Sequence, residues 1–270
     1  MDHLPRDIAP IPSDVWPLID DEARERLVPL LAARRVVDWK GPDGWEHSAL
    51  RLGRTEPLEG PPGVDGGAVR TRQRRVQTLA EVRVPFTVSR AEIDDAERGA
   101  RDLELDDLDR ATRQAAEIEN RVVFHGWPAA GIQGIVETAQ DPQPKLGDTT
   151  HDYPGIVAGT VDRLRLAGVE GPYALAVGPD IYTGIIEATE NTGYLLLDHL
   201  TKILGGQVVW TPGLDGAVVL SQRGDDFHLH VGQDLAVGYS HHDADTVHLY
   251  LEESFTFKVT EPDAAIAMTT

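Results

Sequence analysis

A chain of 270 residues is long enough for one large domain or two modest ones, and its 41% hydrophobic content suits a packed core. Its 45 acidic against 25 basic residues leave a net charge of −20, which argues against the clustered cationic surface that nucleic-acid binding needs. With no cysteine, disulfides, thiolate-ligated zinc and a cysteine nucleophile are excluded.

The opening stretch, MDHLPRDIAP, has neither a basic-then-apolar signal segment nor a transit-peptide composition. No apolar run reaches the ~18 residues that a membrane span requires, so a cytoplasmic soluble protein is expected. Pro5, Pro10 and Pro12 make residues 1–12 an extended arm. Ser13 offers an N-cap, and a helix is predicted from there to about Ala33. Its apolar face is Val15, Trp16, Ile19, Ala23, Leu27, Leu30 and Leu31, and Pro29 should kink it by removing a backbone donor. Asp20, Asp21, Glu22 and Glu25 read as a solvated acidic face.

Arg34–Trp39 reads as a short strand, and Gly41-Pro42-Asp43-Gly44-Trp45 as a turn. From Leu50 to Thr87 two alternating arms are predicted, carried by Leu50 and Leu52 and by Val76, Leu79, Val82 and Val84. Between them lies a flexible tip, EGPPGVDGG, Glu59–Gly67. The arms hold many charges and few large apolar side chains. Such a hairpin cannot bury enough on its own subunit; it is expected to be disordered or to lie on a neighbour. The basic cluster Arg70, Arg72, Arg74 and Arg75 fits a solvated or intersubunit strand better than a phosphate-binding surface.

Ser89–Gly99 is a short predicted helix. Leu105–Gly126, LDDLDRATRQAAEIENRVVFHG, is the longest helical pattern, about 30 Å at ~1.5 Å per residue. Leu108, Ala111, Ala115, Ile118 and Val122 form its apolar stripe; Arg110, Arg113, Gln114, Glu117 and Arg121 form the opposite face. Asp106, Asp107 and Asp109 suit the positive end of the helix dipole, and Gly126 suits the C-terminal cap. Further on come a turn at Gly131–Gly134, a helix over Tyr153–Ala167, a strand over Tyr173–Val177, and helices over Asp180–Ala188 and about Tyr194–Leu204. The remainder is predicted as strand: Val208–Trp210, Ala217–Leu220, Phe227–Val231, Leu235–Tyr239, Val247–Leu251, Glu253–Val259 and Ala264–Met268. The order is α+β, without regular βαβ alternation.

Catalytic signatures are lacking: the chain has no G-x-S-x-G, P-loop, H-E-x-x-H or G-x-G-x-x-G, and an enzyme is not expected. Glu117 and Glu119 fall on different faces of their helix and make a poor acid/base pair. His228 and His230, two apart on a strand, share a face and could ligate metal, but a polar strand face is the simpler reading. His241, His242, Asp243 and Asp245 could hold a divalent ion, but read more simply as a hairpin turn. His125, at a helix end, is expected near the dipole or a capping carbonyl.

Laid out in this order, the chain resembles the encapsulins, bacterial nanocompartment shell proteins once described as linocin-like. The carriers are LPRDIAPI at Leu4–Ile11, ARRVVDW at Ala33–Trp39, GPDGWE at Gly41–Glu46 and VPFTVSRAEIDDAERG at Val84–Gly99. They continue with GVEGPYALAV at Gly168–Val177, SQRGDDFHLHVGQDLAVGY at Ser221–Tyr239 and LYLEESFTFKV at Leu249–Val259. The resemblance implies the phage major-capsid (HK97-like) fold, with an N-terminal helix, an extended hairpin loop, and peripheral and axial domains. It assigns residues 1–40 to the arm and cargo-side helix, 41–88 to the hairpin, 89–133 and 225–270 to the peripheral domain, and 134–224 to the axial domain.

It also implies a non-enzymatic subunit that assembles into an icosahedral homo-oligomer, of a length that fits the smallest (T=1) shell. Such a shell loads a cargo protein, a dye-decolourising peroxidase or a ferritin-like iron protein, through the cargo's C-terminal peptide. Carried over by position, the cargo-peptide groove would use Leu27, Leu30, Leu31, Arg34, Val37 and Asp38, for which ordinary core packing is the competing reading of the leucines. A five-fold pore would be lined by Glu187, Glu190, Asn191, Thr192 and Tyr194, admitting small cations or polar solutes. No cofactor, resident metal, nucleic acid or membrane is expected. The alternative is a secreted bacteriostatic or peptidase-like protein, which no signal peptide or catalytic constellation supports.

Overall fold

In the computed structural model, residues 1–2, 61, 64–68, 140–142, 148, 189–194 and 270 are left out of the description, and all others are described. The Pro-rich arm leads through a 3-10 turn at Arg6–Ile8 into helix α1, Trp16–Leu27. This helix begins two residues past the point where Ser13 would cap it, with Pro17 in its first turn, where a missing amide costs nothing. Pro29 ends it rather than kinking it. The chain folds into a turn in which the Leu30 and Leu31 amides both donate to the Leu27 carbonyl. A 3-10 turn, Ala33–Arg35, occupies the first half of the predicted strand, leaving only β1, Asp38–Lys40.

The hairpin consists of β2, Ala49–Leu58, paired antiparallel with β3, Thr71–Thr78. The return arm predicted to run on through Val82 and Val84 divides at Leu79. Beyond it, β4, Ala80–Ser89, leaves the hairpin and enters the main sheet. Helix α2, Arg90–Glu97, is capped by the Ser89 hydroxyl, which accepts the Ala91 amide. The central helix α3, Asp106–His125, ends at Gly126, whose φ of +79° a side chain would disfavour. The remaining helices are α4, Ile135–Thr138, unforeseen in the sequence; α5, Tyr153–Leu166; α6, Pro179–Glu187; and α7, Leu196–Leu204, with β5, Tyr173–Val177, between α5 and α6. Then follow β6, Val208–Trp210; β7, Ala217–Ser221; β8, Phe227–Val231; β9, Ala236–His242; β10, Thr246–Val259; and β11, Ala265–Met268.

Strands β1, β8, β10 and β4 lie side by side, with β9 also pairing β10; β11, β7, β5 and β6 form a second sheet. Two of the predicted strands, Val247–Leu251 and Glu253–Val259, are thus one strand of 14 residues. The last strand, expected with the peripheral set, pairs instead with β7 in the second sheet. Helix α3 joins two cores. Leu108, Ala111, Ala115 and Ala116 pack with α1, α2 and the β4, β9 and β10 side chains. Val122, Val123 and Phe124 pack with α5, α7 and the second sheet. The predicted stripe faces inward, and Arg110, Arg113, Gln114, Glu117 and Arg121 are exposed.

Candidate functional site

Helix α1 buries Trp16, Ile19, Ala23 and Leu27, one stripe at steps of three and four. The arm is tied across it by Arg6. Its guanidinium makes a two-pronged pair with Asp20 at 2.7 and 2.8 Å, donates through Nε to the Val237 carbonyl at 2.8 Å, and lies 4.5 Å from the Trp16 ring centre. Between α1 and the segment entering β9 there remains a cleft of about 470 Å³. Ala23, Leu27, Val28 and Leu31 line one side, and Leu235 and Val237 the other. Two ion pairs rim it, Arg6–Asp20 and Arg34–Asp234.

Arg34 anchors this region to the central helix. It donates to Glu119 of α3 at 2.7 Å, Glu253 of β10 at 2.7 Å and Asp234 of the β8–β9 connection at 2.9 Å. Glu119 and Glu253 retain 0% and 3% of their side-chain surface. Burial works against the Arg34 charge, but Glu119 first, then Glu253 and Asp234, more than offset it, and its pKa is raised. Burial, followed by the charge of Glu119, pushes the Glu253 carboxyl well above the ordinary carboxylate range despite Arg34. Next to Glu119, Asn120 accepts the Ala33 amide and donates to the Leu30 and Pro212 carbonyls, fixing the turn after α1.

Of the residues expected to form a peptide groove, Leu27, Leu31 and Arg34 line this cleft. Leu27 and Leu31 are also core residues. Leu30 packs against the core without lining the cleft. Val37 and Asp38 are carried away by the 3-10 turn and line a separate recess with Ser221, Gln222 and Phe227. The sequence reading missed Val28, 63% exposed at the cleft, and the hydrogen-bonding roles of Glu119 and Asn120. Burial of Glu119 against exposure of Glu117 follows from their different helix faces; the ion pair across 85 residues of sequence has no local signal.

Among the expected pore residues, Glu187 is the exposed last residue of α6; Glu190, Asn191, Thr192 and Tyr194 lie outside the described residues. His241 and His242 end β9, paired with β10, and Asp243–Asp245 form the turn between the two strands. Asp243 accepts the Asp245 and Thr246 amides, bonds that lower its pKa, so turn geometry accounts for that carboxylate. His125 does not cap a carbonyl: its Nε2 accepts the Asp215 amide, and burial lowers its pKa.

Residues 1–256 match the family described as encapsulating protein for peroxidase. The chain is 46% identical to a type 1 encapsulin shell protein of Rhodospirillum rubrum over 99% of its own length and 96% of that protein. It is 42% identical to one of Rhodococcus erythropolis, with 99% and 100% covered. Among solved structures, the fold is similar to a virus-like particle from Pyrococcus furiosus (TM-score 0.66, 14% identity, 94% of this chain and 99% of that chain). It is similar also to a structure from Mycobacterium phage Cain (TM-score 0.56, 16% identity, 89% and 90%). These last two likenesses concern the fold alone.

Proposed function

This chain belongs to the family of encapsulating proteins for peroxidase, and from that premise we propose that its subunits close into an icosahedral T=1 nanocompartment in the cytoplasm that takes up a cargo protein. The carrying observation is a shell-protein likeness that runs through the whole chain, from the arm to the last strand. The cargo is a peroxidase or a ferritin-like iron protein, and its C-terminal peptide docks in the cleft between α1 and the entry to β9. Apolar walls with an ion pair at each rim suit a short extended segment with apolar anchors. Catalysis belongs to the cargo rather than the shell. Among the described residues, no helix is long and apolar enough to cross a membrane.

Negative-stain microscopy of the purified protein tests assembly: uniform hollow particles near the column void are expected, and a folded monomer or dimer refutes the shell. The cleft has a separate test. Val28 is 63% exposed, so Val28→Glu should change stability by no more than about 0.5 kcal/mol. Placing a charge where a peptide's apolar anchor docks should cut cargo loading by about tenfold or more, since each ~1.4 kcal/mol is a factor of ten. Co-purification of a fluorescent protein bearing the cargo peptide reads this directly; unchanged loading removes the cleft from cargo binding.

A further inference from the structure

Strands β1 and β8 pair in parallel, with Asp38 opposite His228. Asp225 stands in the turn that enters β8, at φ +66°, and its amide donates to Asp38 Oδ2. His228 Nε2 lies 3.0 Å from the Asp225 carbonyl oxygen. A carbonyl only accepts, so this contact places the ring proton on Nε2, and a neutral imidazole then carries its lone pair on Nδ1. That Nδ1 is buried and has no hydrogen-bond partner among the described residues. It faces Asp38 Oδ2 across 3.9 Å.

Two acceptors therefore oppose each other across a gap too wide for a hydrogen bond. Two bonds of ~2.0–2.2 Å to one divalent ion are long enough to bridge it. One ligand atom each from Asp38, Asp225 and His228 lie within 4.8 Å of one another, the one such trio among the described residues. The His228 side chain is 14% exposed and that of Asp38 31%, which leaves a path for an ion and for water ligands. His230, the expected companion of His228, is not part of the trio; its ring centre stands 5.9 Å from that of His228.

We propose that Asp38, Asp225 and His228 form a divalent-cation site, with His228 Nδ1 and one oxygen from each carboxylate as ligands and water completing the shell. One imidazole and two carboxylates, without thiolate, suit zinc, cobalt(II) or manganese(II) rather than a soft monovalent ion. The ion staples β1 to the β7–β8 turn. It binds the folded subunit and not the unfolded chain, so it stabilises the fold by mass action. The site does not depend on the cargo-binding reading.

The test uses untagged particles stripped with chelator, titrated with cobalt(II) by visible absorption and with zinc(II) by calorimetry. One ion per subunit is expected, with a rise of several degrees in melting temperature at saturation. Asp225→Asn keeps a residue that tolerates positive φ and, being exposed, leaves the fold intact; affinity should fall at least tenfold. His228→Gln should fall as far, and if it does not fold, the Asp225 variant decides. Absence of a cobalt band and of zinc heat overturns the site. Equal affinity and stoichiometry in Asp225→Asn also overturns it, by placing the ion elsewhere.

Discussion

Replacing Arg34 with leucine should destabilise the protein by about 3–5 kcal/mol, the usual cost of stranding buried charge. Glu119 and Glu253 are shielded from water and Arg34 is the cation both of them touch. Leucine fills much of the arginine stem's volume, so the loss is electrostatic rather than a cavity. At roughly 2–4 °C per kcal/mol for a chain of this order of size, melting should fall by about 6–20 °C. Adding Glu253→Gln in the leucine background removes one stranded charge and should recover a large part of the loss. Differential scanning calorimetry of the single and double variants closes the cycle. A single variant that melts like the parent would show that Arg34 does not carry the two carboxylates.

The same cluster fixes a pH dependence. Glu253 has a folded-state pKa raised above its ordinary 4.5, chiefly by burial and then by Glu119. The folded state therefore binds more protons than the unfolded chain between those two values. This stabilising contribution is complete below about 4.5 and is lost as pH rises through the raised value. Without Arg34, which lowers the Glu253 pKa, protonation becomes easier still, so the deficit of Arg34→Leu should shrink on acidification. Melting of parent and variant from pH 8 to pH 5 measures the narrowing gap.

The same residues show what a sequence does and does not expose. The stripe of α3 was legible because Leu108, Ala111, Ala115 and Val122 recur at the helix period and all four turn inward. Strand β10 was cut in two at Glu252 because adjacent carboxylates look like an exposed break. Both are buried, one met by Arg83 and the other by Arg34, and those partners lie far away in sequence. The hairpin's return arm ran on into β4 because the alternation continues through Leu79, while only the pairing partner changes, from β2 to β10. In the site, the family resemblance, carried over by position, grouped Val37 and Asp38 with Leu27 and Leu31. The intervening 3-10 turn, whose Ala33 amide donates to Asn120, sends them to a different recess. Val28 escaped notice because it lies off the stripe, which is also why it is exposed at the cleft.

Deleting Glu59–Gly67 and closing the hairpin with a short turn should leave subunits folded but abolish particles. The tip falls largely outside the described residues, so the expectation rests on the arms. Among the described residues, strands β2 and β3 pair only with each other, and a two-stranded sheet is marginal in water on its own. Leu58, Val69 and Val76 are all more than half exposed, apolar surface that a neighbouring subunit would cover. Obligate interfaces bury ~2,000 Å² or more, so losing the far end of this arm removes a contact at every junction of a closed shell. Size-exclusion chromatography reads particles and circular dichroism reads the fold; normal particles in normal yield would remove the interlocking role. Charge sets the conditions. Subunits of net charge −20 repel, and screening shortens that repulsion from about 10 Å at 0.1 M salt to about 3 Å at 1 M. If apolar burial under the hairpin holds the shell, particles should persist or strengthen as salt rises. Arg70, Arg72 and Arg74 are exposed on an otherwise acidic chain. Should they instead hold the shell by pairing with a neighbour's carboxylates, particles would dissociate toward 1 M salt, and Arg72→Gln with Arg74→Gln would lower the salt at which they do.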